Sequence, residues 1–147
     1  MPDIRVQEAV FAPGKELDAF TDVQSGAGAV VSFTGVVRDD GGNLDEMMIE
    51  HYPGMTEKAL AKIAEEAETR WSLAGALVIH RYGLMRPGDH IMMVATAARH
   101  RVHAFEAAEF LMDYLKSRAP FWKQERRGGD TTWVAAKDED EDALTRW

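Results

Sequence analysis

The sequence predicts an α+β domain, an antiparallel or mixed sheet with helices packed against it. Short apolar runs rich in β-branched residues recur along the chain, two sets of them fall in pairs joined by brief connections, and amphipathic runs with helical spacing separate the pairs. The order read from this pattern is strand, helix, two strands, helix, two strands, helix, strand.

Asp3 to Val10 sets Ile4, Val6 and Ala9-Val10 against Arg5, Gln7 and Glu8, the alternation of a half-buried strand with an irregular end. Pro13-Gly14 opens a helix to about Val23, with Leu17 and Phe20 inward. Ala27 to Val37 is small and β-branched and predicts a long strand interrupted near Gly35. Asp39-Asp40-Gly41-Gly42-Asn43 is loop by its turn chemistry. Asp45 to Tyr52 reads as the return strand, broken by Pro53-Gly54. Met55, Ala59, Ile63, Ala67 and Trp71 recur at helical spacing, with Thr56 as a candidate cap. Two strands follow, Ala76 to Tyr82 and His90 to Ala97, joined through Leu84 to Asp89. A second long helix runs from His103 to Ser117 with Ala104, Ala108, Leu111 and Leu115 on one stripe, and Pro120 stops it. Thr132 to Ala136 is a last strand. The acidic run 137–142 is solvated surface or a helix start, and Trp147 is a residue expected to dock.

At 147 residues the chain reads as one domain, 1–147, with its acidic segment 137–147 docked or partly mobile. No apolar run approaches the roughly 18 residues of a membrane span, and Met1-Pro2-Asp3-Ile4-Arg5 lacks a signal-peptide pattern, so the expected location is cytoplasmic. Cysteine is absent, which excludes a thiolate nucleophile or a cysteine metal site, and the five histidines show no metal-ligand spacing. No metal is expected.

The net charge of -8 is unevenly spread: from Arg99 to Arg127 seven Lys/Arg face four Asp/Glu, a local +3 against -11 for the rest. The overall field repels a polyanion, so a small anion held by a few converging cations fits better than nucleic acid. Arg38, at the mouth of the glycine-rich loop, can grip phosphate or carboxylate through two hydrogen bonds, or stand as a solvated strand-end arginine. His100-Arg101 precedes a helix, where backbone N–H groups attract anions; His100 equally reads as a helix-entry residue. Lys116 closes a helix, where a cation also suits the dipole. Lys123 sits in the segment Pro120-Phe121-Trp122, fixed by the proline. If the two lysines approach each other near Arg38 and Arg101, repulsion and burial lower a lysine pKa and give a proton donor, acceptor or amine nucleophile. Phe121 and Trp122 read as core before ligand-stacking, and Met47, Met48, Met55, Met85, Met92, Met93 and Met112 as interior filling.

Several segments in this order carry a resemblance: Gly28 to Arg38, Glu50-His51-Tyr52 with Met55, His80-Arg81-Tyr82-Gly83, His100-Arg101, Lys116 with Pro120 to Glu125, Trp133-Val134 and the closing Arg146-Trp147. Together they resemble the large, catalytic subunit family of molybdopterin synthase. The resemblance implies an α/β-hammerhead fold and a homodimer that binds two copies of a small ubiquitin-like sulfur-carrier subunit, a heterotetramer. The carrier's C-terminal Gly-Gly thiocarboxylate would deliver sulfur to cyclic pyranopterin monophosphate, giving molybdopterin, with no permanently bound cofactor. Carried over by position, Lys116 and Lys123 are catalytic, while Phe33, Val36, Val37, Arg38, His100, Arg101, Gln124 and Glu125 line the substrate site. Lys137, also assigned to that site, stands where many members have arginine. The alternative is a non-catalytic module binding an anion, a nucleotide or a carrier protein. A version using Arg118, Phe121, Trp122, Arg126 and Arg127 as a basic stacking surface for single-stranded nucleic acid fits the acidic chain poorly.

Overall fold

The computed structural model describes residues 1–134 and 138–147. Its strands are β1 (Asp3–Gln7), β2 (Ala29–Val36), β3 (Glu46–His51), β4 (Gly75–Arg81), β5 (Gly83–Met85), β6 (His90–Ala98), β7 (Phe121–Arg127) and β8 (Asp130–Trp133). The helices are α1 (Pro13–Asp22), α2 (Met55–Trp71), α3 (Arg101–Ser117) and α4 (Asp138–Ala143), and a 3-10 turn, Leu144–Arg146, follows α4. The class is α+β, as expected.

Two four-stranded sheets form. The first has the order β1-β4-β6-β2 and is mixed, β1 running parallel to β4 and the other pairs antiparallel. The second, β5-β3-β7-β8, is antiparallel throughout. Helix α1 covers one face of the first sheet, where Phe20 packs with Leu77, Ile79, Met93 and Ala95, and Leu17 lies against them. On the other face α2 and α3 pack on Val78, Met92 and Val94, and the inner side of the second sheet, Met47 and Ile49, closes the same core.

The helical stripe of α2 differs from the one read in the sequence. The buried residues are Thr56, Leu60, Ile63, Ala64, Ala67 and Trp71, whereas Met55 is exposed. Steps of four turn about 400°, so a strict fourfold series drifts about 40° per step off the buried face, and Met55 lies beyond its edge. Gly54, not Thr56, holds the cap position, and its N–H donates to Glu57 Oε2 at 2.8 Å. The Thr56 hydroxyl instead accepts from Tyr52 N–H at 2.9 Å and donates to the Pro120 carbonyl at 3.2 Å.

Strands β5 and β7 were not expected. β5 is three residues long and follows β4 after one residue, Tyr82, so the chain passes from one sheet to the other almost without a loop. Gly83 makes this possible: its φ is +98°, and a Cβ there would stand 2.9 Å from the Glu8 carboxylate. β7 hides its alternation because polar residues occupy both faces. Phe121, Lys123 and Glu125 oppose His51, Ile49 and Met47 on the inner face, while Trp122, Gln124 and Arg126 oppose Glu50, Met48 and Glu46 outside. Trp122 is thus an exposed residue, not core, whereas Phe121 packs on the core. Of the methionines assigned to the interior, Met47, Met85, Met92 and Met93 are buried, and Met48 and Met112 are half-buried.

His80 and Arg81 end β4 and are both buried. The His80 ring stacks on Phe121, centroids 3.6 Å apart and planes 15° off parallel, and its Nδ1–H donates to the Arg81 carbonyl at 2.8 Å. Arg81 donates through Nε and Nη2 to the Glu8 carbonyl and through Nη1 to that of His90. The C-terminus docks on the helices: the Trp147 ring meets Trp71 and Phe110 edge-on at 5.6 and 5.7 Å, its Nε1–H donates to Asp113, and Arg146 pairs with Glu109 and Asp113.

Burial pushes the His80 imidazole down from 6.5 to about 4, against the smaller upward pull of the Arg81 carbonyl. The unfolded chain therefore takes the proton first, so stability present above pH 6.5 falls as pH drops toward 4, by about 3 kcal/mol for this one group. Urea titrations between pH 7 and 4 measure it, and His80→Phe should remove that component of the slope. Trp147→Ala should cost about 2–4 kcal/mol through the lost edge-on contacts and hydrogen bond, seen as a lower urea midpoint with an unchanged slope.

Candidate active site

Helix α3 runs back along β6, so its last turn, bearing Lys116, returns to the end of the first sheet where β6 begins. Arg118 caps it, and Ala119-Pro120 leads directly into β7, which presents Lys123 on its inner face over the buried Ile49. Lys123, His51 and Lys116 all act electrostatically on the buried His80 ring. The two lysines named from the sequence therefore converge on one imidazole that burial keeps uncharged at neutral pH. His51 and Tyr82 stand beside it with ring centroids 4.3 Å apart.

Arg38 belongs to the same end. His80 pairs with Met92 on β6, and Met92 pairs with Gly35 on β2, so one row crosses the three strands in about 10 Å. Val37 is fixed just beyond, its N–H donating to Asp89 O and its carbonyl accepting from Gly88 N. Arg38 follows, largely exposed, with its Nε 2.7 Å from Asp40. Such an exposed pair holds weakly in water, so an anionic ligand can displace Asp40. Of the acidic loop only this residue screens Arg38. Asp39 instead accepts from Leu44 N–H and approaches Arg127.

The remaining assignments separate. Phe33 and Val36 are exposed on β2, whereas the Val37 side chain is 2% exposed and packs in the core, which leaves only its backbone to face a ligand. Glu125 shares the inner face of β7 with Lys123 and pairs with Arg127, while Gln124 points to the opposite face by strand alternation. Lys137 lies outside the described residues. His100 and Arg101 stand at the far end of the sheet. His100 is the exposed N-cap of α3, its side chain making no capping bond, and Arg101 is the helix's first residue. Gly28 lets β2 press against the Arg99 carbonyl just before them; a Cβ there would collide with that oxygen. Nine residues of β6 separate this end from the lysines, on the order of 25 Å.

The basic stacking surface does not form. Phe121 turns inward and Trp122 outward, while Arg118 pairs with Glu141, Arg126 with Glu46, and Arg127 with Asp39 and Glu125. Sequence reasoning missed His80 as part of the site, although His80-Arg81-Tyr82-Gly83 stood among the motifs that carried the resemblance. Among the described residues no group of His, Asp and Glu is placed to hold a metal ion, and no helix is long and apolar enough to cross a membrane. A 410 Å³ cavity lies beside His51 and Tyr82, and one of 320 Å³ lies between β1 and α1. Neither is lined by a residue assigned to the site from the sequence.

Comparison with known proteins places this geometry. The family described as MoaE protein matches residues 6–118. The molybdopterin synthase catalytic subunit of Cereibacter sphaeroides is 62% identical over 98% of this chain and 99% of its own length. The molybdopterin biosynthesis MoaE protein from Burkholderia ambifaria superposes with a TM-score of 0.87 at 47% identity, covering 100% of this chain and 98% of that one. At 18% identity, a chain in the complex of subunits 1 and 2 of the molybdopterin-converting factor from Helicobacter pylori shares the fold with a TM-score of 0.79, over 91% of each chain. The α+β expectation holds, and the chain belongs to the MoaE family of molybdopterin synthase catalytic subunits, enzymes of molybdopterin biosynthesis.

Proposed function

We propose that this chain transfers sulfur from the C-terminal thiocarboxylate of a small ubiquitin-like carrier subunit to cyclic pyranopterin monophosphate, twice, to give the dithiolene of molybdopterin. The observation that carries the reading is the convergence of Lys116 and Lys123 on the neutral His80 ring, with Arg38 at the same end of the sheet. In each transfer the thiocarboxylate sulfur bonds to a side-chain carbon of the pterin and displaces an oxygen there, as water or as the ring-opened phosphate. Water then adds to the carrier's acyl carbon and breaks its bond to sulfur, leaving a carboxylate. Negative charge develops on the carrier's acyl oxygen as its carbon becomes tetrahedral, and two ammonium groups at a rigid site stabilise that charge and deliver protons. The chain lacks cysteine, which suits a reaction whose sulfur arrives on a partner. The 62% identical relative is named a catalytic subunit, which supports a partner subunit here.

The phosphate is assigned to Arg38 together with His100 and Arg101, and this requires a second copy. Arg38 and Arg101 of one chain lie at opposite ends of a nine-residue strand, beyond the combined reach of their side chains. β2 is an edge strand that, among the described residues, pairs only with β6; it carries no charge or proline, and Ser32, Phe33 and Val36 are exposed. Such an edge invites pairing. Antiparallel pairing of β2 with β2 of another copy sets the Arg38 end of each beside the Gly28 end of the other, next to His100 and Arg101. Two identical sites result, each closed by both chains. Permanent cofactors have no place in this scheme.

Purified protein, thiocarboxylated carrier and cyclic pyranopterin monophosphate should yield product only together, detected after oxidation to a fluorescent pterin. Lys123→Ala should lower turnover by roughly 10²–10⁴-fold without unfolding the chain, and normal turnover would remove this residue from the mechanism. Arg38→Ala and Arg101→Ala should each be inactive alone, yet unfolding and refolding the two together should restore about a quarter of the activity, because half the dimers are mixed and each of those holds one intact site. No recovery would mean that each chain builds its site alone.

A further inference from the structure

We propose that His80 is a positioning residue for Lys123: its ring, stacked on Phe121, fixes the start of β7 and so places the lysine two residues along the same face. The proposal rests on the catalytic reading of Lys123 above.

The ring contact is the last link in a continuous set of fixed groups. Arg81 is 7% exposed, and its guanidinium is held by the carbonyls of Glu8 and His90, which locks the end of β4 to the segment after β1 and to the start of β6. Its carbonyl accepts the His80 Nδ1–H at 2.8 Å, which sets the plane of the imidazole. Phe121 lies flat on that plane at 3.6 Å. From Phe121 the alternation of β7 sends Lys123 to the same face, over Ile49, in a register fixed by the pairing with β3. The Thr56 hydroxyl on the Pro120 carbonyl and the β3 pairing hold the backbone here, and the His51 ring lies tilted and farther off at 6.5 Å, so the flat contact on Phe121 comes from His80. The flat face of the imidazole is what meets Phe121, and its one N–H fixes the ring's own orientation in the parent protein. The charged and titratable groups that act on it are Lys123 from β7, Lys116 from α3 and His51 from β3. Burial keeps the ring neutral among them, so it aligns the cations without adding a third.

Two readouts test this on the protein with its carrier: steady-state kinetics, and labelling of Lys123 by a small amine-reactive reagent, mapped by peptide mass spectrometry. His80→Ala should lower kcat roughly tenfold to a hundredfold with the KM for carrier unchanged, since a small misplacement acts on the reacting geometry and not on docking. It should also alter Lys123 labelling while leaving Lys58 and Lys62 as in the parent protein. His80→Phe, which keeps the flat stack, should rescue both. An Ala variant with parental kcat and labelling overturns the proposal, as does a folded Phe variant that loses both. If the Ala variant does not fold, His80→Asn replaces it: Asn impaired and Phe rescued supports the ring stack, and the reverse refutes it. Should the parent protein give no product, the sulfur-transfer reading fails, while the labelling comparison still decides whether His80 places Lys123.

Discussion

The joint between the two sheets is the stack of His80 on Phe121, and the rest of the molecule is arranged around it. β4 leaves the first sheet at Arg81 and the chain enters the second at Gly83, so the two sheets share a corner only one residue long. A corner this tight brings backbone carbonyls together, and Arg81 satisfies two of them with its guanidinium. Burying an arginine is costly unless its donors are paired, so the residue that relieves the carbonyls is itself held in place by them. His80 then carries this rigidity across to Phe121 and to the strand that presents Lys123.

In this acidic protein several arginines away from the candidate site are neutralised locally. Arg118, Arg126, Arg127 and Arg146 each lie against a carboxylate, and these pairs serve to tie α4, β3, the 39–45 loop and the C-terminus to the core. At the end of the first sheet stand Lys116, Lys123 and Arg38, and the Arg38 partner Asp40 is exposed and exchangeable. The overall negative charge repels polyanions, while the local arrangement favours one small anionic ligand.

Much of this was legible in the sequence, and the exceptions have physical causes. The α3 stripe, Ala104, Ala108, Leu111 and Leu115, is buried as read, because helical periodicity and burial on one face are the same fact. Arg38, His100, Lys116 and Lys123 were nameable from residue type and position. β7 was not, since a strand with polar residues on both faces has no hydrophobic alternation to detect. Val37 was assigned to the site by the resemblance, position by position with Val36 and Arg38, yet its side chain lies in the core. Gln124 fell to strand alternation, which separates it from Lys123.

The sequence by itself determined the α+β class, the main helices, the cations available for chemistry and, through separated motifs, the family. Those properties depend on local periodicity and residue chemistry. Only the tertiary structure decided which cations meet. Lys116 and Lys123 both act on the His80 ring because a helix running back along β6 returns one to the end of the first sheet and β7 brings the other there, whereas Arg38 and Arg101 are held apart by the length of β6. Only the tertiary structure, too, gave His80 its place, because a buried histidine acquires a role from what lies across from it, and that neighbour is forty-one residues further along the chain.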